Sequence, residues 1–193
     1  LLVGSGGVLS HAPRRQQAAR MLIDAFMPEG ITQLAVDSIF MMPQLGVLAN
    51  IDSKELKNDA NQAALEVFDN DCLIRLGTCI APIGKAKPKS KMAQVSLSFE
   101  DGSTKEVDIN EGSLEMFEVP YEPVKIEIQP SRGIDVGAGK GEPLSSTIYG
   151  GVVGLIFDGR NRPINLPKDS SDRIQNLLNW SAAVNEYPKG DLF

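Results

Sequence analysis

Three regimes of hydrophobic spacing divide the chain. In the first, Ala18, Met21, Leu22, Ala25 and Phe26 recur at i, i+3, i+4, i+7 and i+8, the apolar stripe of an amphipathic helix. Arg14, Arg15, Gln16, Gln17 and Arg20 fall mostly off that stripe. Ser10 is placed to cap the helix, and Pro13 suits its first turn, where an N–H would lack a partner anyway. Pro28 and Gly30 stop it. Ahead of it, the apolar run Leu1–Val3 feeds into Gly4-Ser5-Gly6-Gly7, which reads as a buried strand and a tight turn. Leu34–Val36 predicts a short strand interrupted by Asp37, and Pro43 and Gly46 are expected to break any long element after it. Asp59 and Gln62 have the spacing of a capping box, with Leu65, Phe68, Cys72 and Leu76 as the buried face of a second helix. That helix leads into a short strand in "TCIAPIG".

At Gly84 the pattern changes. "GKAKPKSK" sets Lys85, Lys87, Lys89 and Lys91 at alternate positions around Pro88, which reads as a solvated linker, with contact to an acidic partner as the sharper alternative. Beyond it the period is two. Val95, Leu97 and Phe99 alternate with polar residues, "EDGS" turns, and Glu106–Ile109 returns, a hairpin. In "VKIEIQP", Val124, Ile126 and Ile128 share one face, and "GGVVGLIFDGR" is a continuous apolar run suited to a central strand. The last regime is helical again: Asp169 or Ser170 caps, Ile174, Leu177, Leu178, Trp180 and Val184 are the apolar set, and Pro188 stops it. The expected class is α+β: an α/β segment over 1–83, a linker over 84–91, a β-barrel or sandwich over 92–168, and a C-terminal helix over 169–187.

Composition narrows the functional classes. The 193 residues carry a net charge of −6, which gives no support to general nucleic-acid binding. There is no apolar run of membrane-spanning length and no export-type leader, so no membrane partner is expected and a cytoplasmic location is. Cys72 and Cys79 match no zinc or redox spacing and read as reduced, buried thiols. With His11 as the lone histidine, no nucleophilic triad can be assembled, and no catalytic residue is assigned. Asp37, Asp135 and Asp158 could be read as an acidic metal set, yet each ends a strand, where acidic turn residues are common; no metal site is assigned.

Glycine-rich stretches carry the remaining chemistry. "GSGGVL" departs from the dinucleotide fingerprint because Leu9 stands where its third Gly belongs. Glycines between a strand and a helix still let backbone N–H groups approach a ligand. "GIDVGAGKGE" fails as a P-loop: Ile134 occupies the first Gly position and Gly141 the magnesium-binding Ser/Thr position. It reads as a loop between strands, with anion contact through Lys140 as the minority reading. "YGGVVG" is apolar around its glycines and reads as close backbone packing.

Taken in order, "GSGGVLSHAP", "AVDSIFMMPQLGVLA", "ALEVFDNDCLIRLGT", "IQPSRGIDVGAGKG" and "GGVVGLIFDGRNRP" resemble the C-terminal part of the bacterial glutamate mutase accessory family, the MutL-like family. The resemblance runs over nearly the whole chain. It implies a truncated actin-like fold over 1–83, of the type shared with sugar kinases and heat-shock chaperones, in a nucleotide-dependent accessory or reactivating chaperone for an adenosylcobalamin-dependent mutase. It further implies that Gly4, Ser5, Gly6 and Gly7 contact ATP in the full-length protein, and that a mutase subunit is the partner. The acidic phosphate-binding hairpin of that fold type has no counterpart here. The abrupt start at Leu1 accordingly leads us to expect a piece of a longer protein, inactive alone, holding no cofactor, with the whole protein an ATPase and its self-association left open. Two other classes fit the residues: a small-molecule kinase or ATP hydrolase whose catalytic lobe lies elsewhere, and a protein-interaction module. "NIDSKELKNDANQ" is longer than the family's usual joint at this point.

Overall fold

The chain begins with a strand, a turn and two helices, as the glycines and the 3.6-residue period require. The computed structural model describes residues 1–50 and 59–187. Its elements in order are β1 (Leu2–Gly4), α1 (Gly7–Ser10), α2 (Arg15–Phe26), β2 (Gly30–Asp37), α3 (Met42–Ala49) and α4 (Asp59–Val67). A π-helical turn, Phe68–Cys72, then leads into β3 (Leu73–Ala81), β4 (Ile83–Gly84), β5 (Lys91–Ser98), β6 (Thr104–Asn110) and β7 (Leu114–Phe117). The chain continues with β8 (Pro123–Pro130), β9 (Ile134–Asp135), β10 (Leu144–Tyr149), β11 (Gly154–Asp158) and α5 (Ser170–Ala183).

Two layered sheets, a two-stranded ribbon of β4 and β9, and a layer of helices result. A five-stranded mixed sheet runs β1-β2-β3-β11-β7, and a four-stranded antiparallel sheet runs β10-β8-β5-β6. One face of the five-stranded sheet buries Leu34, Val36, Cys79 and Ile156 against Ala18, Leu22 and Ile23 of α2, Trp180 of α5 and Val184 at its C-terminal cap. Its other face contributes Ile80, Leu155 and Phe157 to a second core with Val95, Leu97, Val124, Ile126 and Ile128 of the four-stranded sheet. The order is thus helix, mixed sheet, antiparallel sheet, an α+β architecture. The barrel alternative is corrected: the sheets pack face to face and each keeps open edges, so no barrel closes. The strands on either side of residues 84–91 also share one sheet, since β11 pairs with β3 in parallel and with β7 antiparallel.

Several local expectations change for stated reasons. Pro43 does not break the chain but occupies the first turn of α3, where its missing N–H has no intrahelical partner to lose, and Gly46 lies within that helix. Ser10 does not cap α2. Arg14 stands at that cap, its N–H donated to Gln17 Oε1 at 3.2 Å, and the Ser10 hydroxyl is used elsewhere. Met27 at φ 44° closes α2. Leu65 is exposed and Leu76 belongs to β3, so the buried face of α4 reduces to Ala64, continued by Cys72 of the π-helical turn. Asp169 caps α5 by accepting the Ser171 and Asp172 N–H groups. Its buried anchors are Trp180 and Val184, while Ile174 and Leu177 stay exposed. Pro188 lies outside the described residues, as does most of the long joint before α4.

"YGGVVG" packs backbone on backbone. A Cβ on Gly151 would press on the carbonyl carbon of Leu76, and Gly77 (φ 139°) and Gly154 (φ 105°) cross too closely for side chains.

Candidate functional site at the carboxyl ends of β1 and β2

β1 and β2 are parallel, Leu2 opposite Leu34 and Gly4 opposite Val36, so both deliver their following loops to the same end of the strands. Crevices at such carboxyl ends are where open α/β sheets receive ligands. The loop after β1 is the glycine turn, and the loop after β2 carries Asp37, Ser38, Ile39 and Phe40. Asp37 is fully buried. Its Oδ2 accepts the Ser5 hydroxyl at 3.2 Å and the Met42 N–H at 3.1 Å, and its Oδ1 accepts the Met41 N–H at 3.2 Å. Ser10 donates to the Asp37 carbonyl at 2.7 Å. One carboxylate thereby ties the glycine turn to the start of α3, and only neutral donors satisfy it.

The four predicted residues come together but differ in role. A Cβ on Gly4 would lie 2.6 Å from Leu9 Cδ1 and 2.9 Å from Leu22 Cδ2, so internal packing demands glycine there. Ser5 holds Asp37. Gly6 sits at φ 112°, outside the range of other residues, with nothing within 4 Å of its Cβ position. Gly7 has ordinary backbone geometry, and its Cβ would meet only Phe40 Cζ at 3.9 Å. The N–H groups of Gly6, Gly7 and Val8 have no hydrogen-bond acceptor among the described residues.

Sequence reasoning missed the rim of this site. Phe40 is held at φ 60°, a strained setting for a bulky side chain, with its ring 5.9 Å from that of His11. Val8 of α1, Ile39 of the loop after β2, and Met42 and Val47 of α3 are exposed. The missed signal is compositional: from Ser38 to Asn50 there is no charged residue.

At the opposite end of the strands, the end of β11 carries a different arrangement. Asp158, also fully buried, accepts Arg160 Nε–H and Nη2–H at 2.8 Å each and Arg162 Nη2–H at 2.9 Å. Arg160 reaches Asp24 of α2 at 2.8 Å, and Arg20 of α2 pairs with Asp24 at 2.6 Å. Arg20 and Arg160 both lie over the Trp180 ring, at 5.8 and 5.1 Å, and the indole N–H donates to Gly112 O at 2.9 Å. Burial pushes the Asp158 carboxyl up, but the hydrogen bonds and charge of Arg160, with the charge of Arg162, outweigh it and hold the group below its usual range. Burial acts against the charge of Arg160 too, and Asp158 and Asp24 more than offset it, raising that group further. The network clamps α2, β11 and α5 together.

The other flagged residues do not join the turn. Among the described residues no group of three or more His, Cys, Asp or Glu side chains assembles into a metal-binding set. Asp135 sits on β9, its Oδ1 accepting the Gly137 and Gly139 N–H groups. Cys72 and Cys79 are free and buried, and burial pushes both thiols up, away from the reactive thiolate. No described helix is long and apolar enough to cross a membrane.

No curated protein and no solved structure matches the chain. A family model does, described as MutL protein and covering residues 1–68, from β1 through α4 to the first residue of the π-helical turn. Over residues 1–68, the stretch that holds both the glycine turn and Asp37, the chain is similar to the MutL protein family.

Proposed function

We propose that the chain is part of an accessory protein for an adenosylcobalamin-dependent mutase of the glutamate mutase class, and that its glycine turn receives a nucleotide. The observation that supports the nucleotide reading is Gly7. Gly4 is explained by packing and Gly6 by its backbone angle, whereas nothing within the protein calls for a missing side chain at Gly7. An open position beside N–H groups without partners suits a phosphate or ribose oxygen approaching the backbone. ATP, when bound, would supply the free energy for remodelling the mutase. The part of this chain is to receive it on the turn, with Asp37 holding Ser5 and the start of α3 in place.

The test is ATP affinity of the full-length protein carrying Gly7→Ala. A side chain at the contact is expected to weaken binding by about tenfold, the loss of one hydrogen bond's worth of interaction, with the melting temperature unchanged. Equal affinity in the variant and the parent would overturn the nucleotide role. The exposed apolar rim of Val8, Ile39, Met42 and Val47 favours a second reading, a protein-docking module. That reading expects a mutase subunit to copurify with no nucleotide bound.

A further inference from the structure

Two stretches of the sequence take no part in the glycine turn: the lysine run from Lys85 to Lys91 and the loop from Gly133 to Glu142. The fold brings them to one corner. β4 pairs with β9, Ile83 opposite Asp135 and Gly84 opposite Ile134, and the backbone of Lys140 forms an isolated antiparallel β-bridge with that of Asp135. Adjacent strands lie about 4.8 Å apart, so the two stretches are immediate neighbours.

The corner is built. Asn161 holds Gly84 twice, accepting its N–H at 3.2 Å and donating to its carbonyl at 2.6 Å. Ser131, beside Arg132, donates its hydroxyl to Lys91 O at 2.8 Å and its N–H to Met92 O at 2.7 Å. Ser90 folds back on Lys87 through its N–H at 3.0 Å and its hydroxyl at 2.8 Å. The lysine run is therefore carried on a hydrogen-bonded frame.

Its charges are unevenly matched. Lys91 pairs with Asp108 at 3.1 Å, whereas Glu111 accepts only the backbone N–H of Lys89, at 3.2 Å, and that lysine's ammonium has no ion pair among the described residues. Lys85, Lys87, Arg132 and Lys140 are exposed, and among the described residues none has a carboxylate within ion-pair distance. Asp135 turns inward onto the Gly137 and Gly139 N–H groups, at 2.7 and 3.1 Å. That carboxylate fills the amide-lined concavity a free phosphate would need, so the glycine loop is closed to a small anion. Glu142 is the acidic residue on the loop's rim, and Glu29 precedes Gly30 where β2 meets Val136. These four exposed cations thus lie on two stretches that the β4–β9 pairing makes neighbours, on a chain whose net charge is −6. Their mutual repulsion is relieved by an opposing set of carboxylates.

We propose that this corner is a docking surface for an acidic face of a partner protein, read by Lys85, Lys87, Arg132 and Lys140. It stands apart from the nucleotide reading, because it shares no residue with the glycine turn. The experiment is a titration of the isotope-labelled protein with a short poly-L-glutamate peptide, followed by amide chemical shifts at low and near-physiological salt. Shifts are expected to gather at 84–91 and 131–142, with affinity falling about tenfold as added salt shortens the Debye length toward 8 Å. The reversal K85E/K87E/R132E/K140E is expected to weaken binding at least about tenfold, while K105E/K125E, on the four-stranded sheet, leaves it unchanged. The neutral set K85Q/K87Q/R132Q/K140Q falls between and serves should the reversed protein not fold. Shifts spread evenly over Lys105 and Lys125, binding that survives charge reversal, or duplex DNA or phosphatidylserine vesicles moving these amides when poly-L-glutamate does not, would each overturn the proposal.

Discussion

Asp37 and Asp158 end two inner strands of the same sheet, both wholly removed from solvent, and they sit at opposite ends of its strands because β2 and β11 run in opposite directions. Asp158 is met by two guanidinium groups and, through Arg160, by Asp24 and Trp180. Asp37 is met by a hydroxyl and two backbone amides. A carboxylate matched by arginines fixes helices to a sheet, and every partner it has is committed inside the protein. One matched by neutral donors from two loops leaves those loops at the surface with further N–H groups free. The same residue type in the same kind of position therefore marks a lock at one end of the strands and a candidate ligand crevice at the other.

The comparison can be broken most severely at the lock. Asp158→Ala leaves Arg162 without its anion and Arg160 with Asp24 alone, and is expected to destabilise by about 3–5 kcal/mol in urea unfolding, with nucleotide affinity of the folded fraction unaltered. Asp37→Ala removes only hydrogen bonds to a charged acceptor, and a smaller loss of about 1.5–3 kcal/mol is expected in the same measurement. If the two losses were equal, the distinction drawn from their partners would fail. The pH dependence should separate them as well. The Asp158 carboxyl is held below its ordinary value near 3.8, so its contribution is complete above that value and is lost as pH falls through the lower folded value. Melting temperature is thus expected to drop steeply below about pH 4 in the parent and less steeply in Asp158→Asn. At the glycine turn the effects shrink further. Gly6→Ala is expected to cost about 1–2 kcal/mol because of its positive φ. Gly7→Ala should change stability by less than about 0.5 kcal/mol, as an open surface position does. A large loss at Gly7 would make it a structural glycine and remove the contrast with Gly4.

What the sequence shows of this fold is what local spacing can encode. The alternation in "VKIEIQP" is β8 with Val124, Ile126 and Ile128 buried, the "EDGS" turn joins β5 to β6, and Asp169 caps α5, because each signal and its response lie within a few residues. Pro43 misled for an equally local reason: a proline that could end a helix is also one that can begin it, and the residues alone do not separate the two. Arg20 lay off the apolar stripe yet is buried, since Asp24, Glu186 and Trp180 supply partners that only the folded chain assembles. Asp37 was visible as an interruption in an apolar run. Its role was not, because Ser5 and Ser10 reach it from another strand's loop. Gly4 through Gly7 were legible as a turn, while their division into packed, strained and open positions depends on Leu9, Leu22 and Phe40 in three dimensions.

β11 is the last strand among the described residues, yet it lies between β3 and β7 in the sheet. During synthesis β3 therefore emerges with one side of its backbone unpaired and waits until Gly154–Asp158 follows before that side is covered. Such late, long-range closure makes folding slow relative to a chain of local contacts, and in the interval the row of free N–H and C=O groups beside Cys79 and Ile80 is a template for another chain. Any piece that stops short of Gly154 keeps that edge permanently open, so aggregation on truncation follows from the strand order itself.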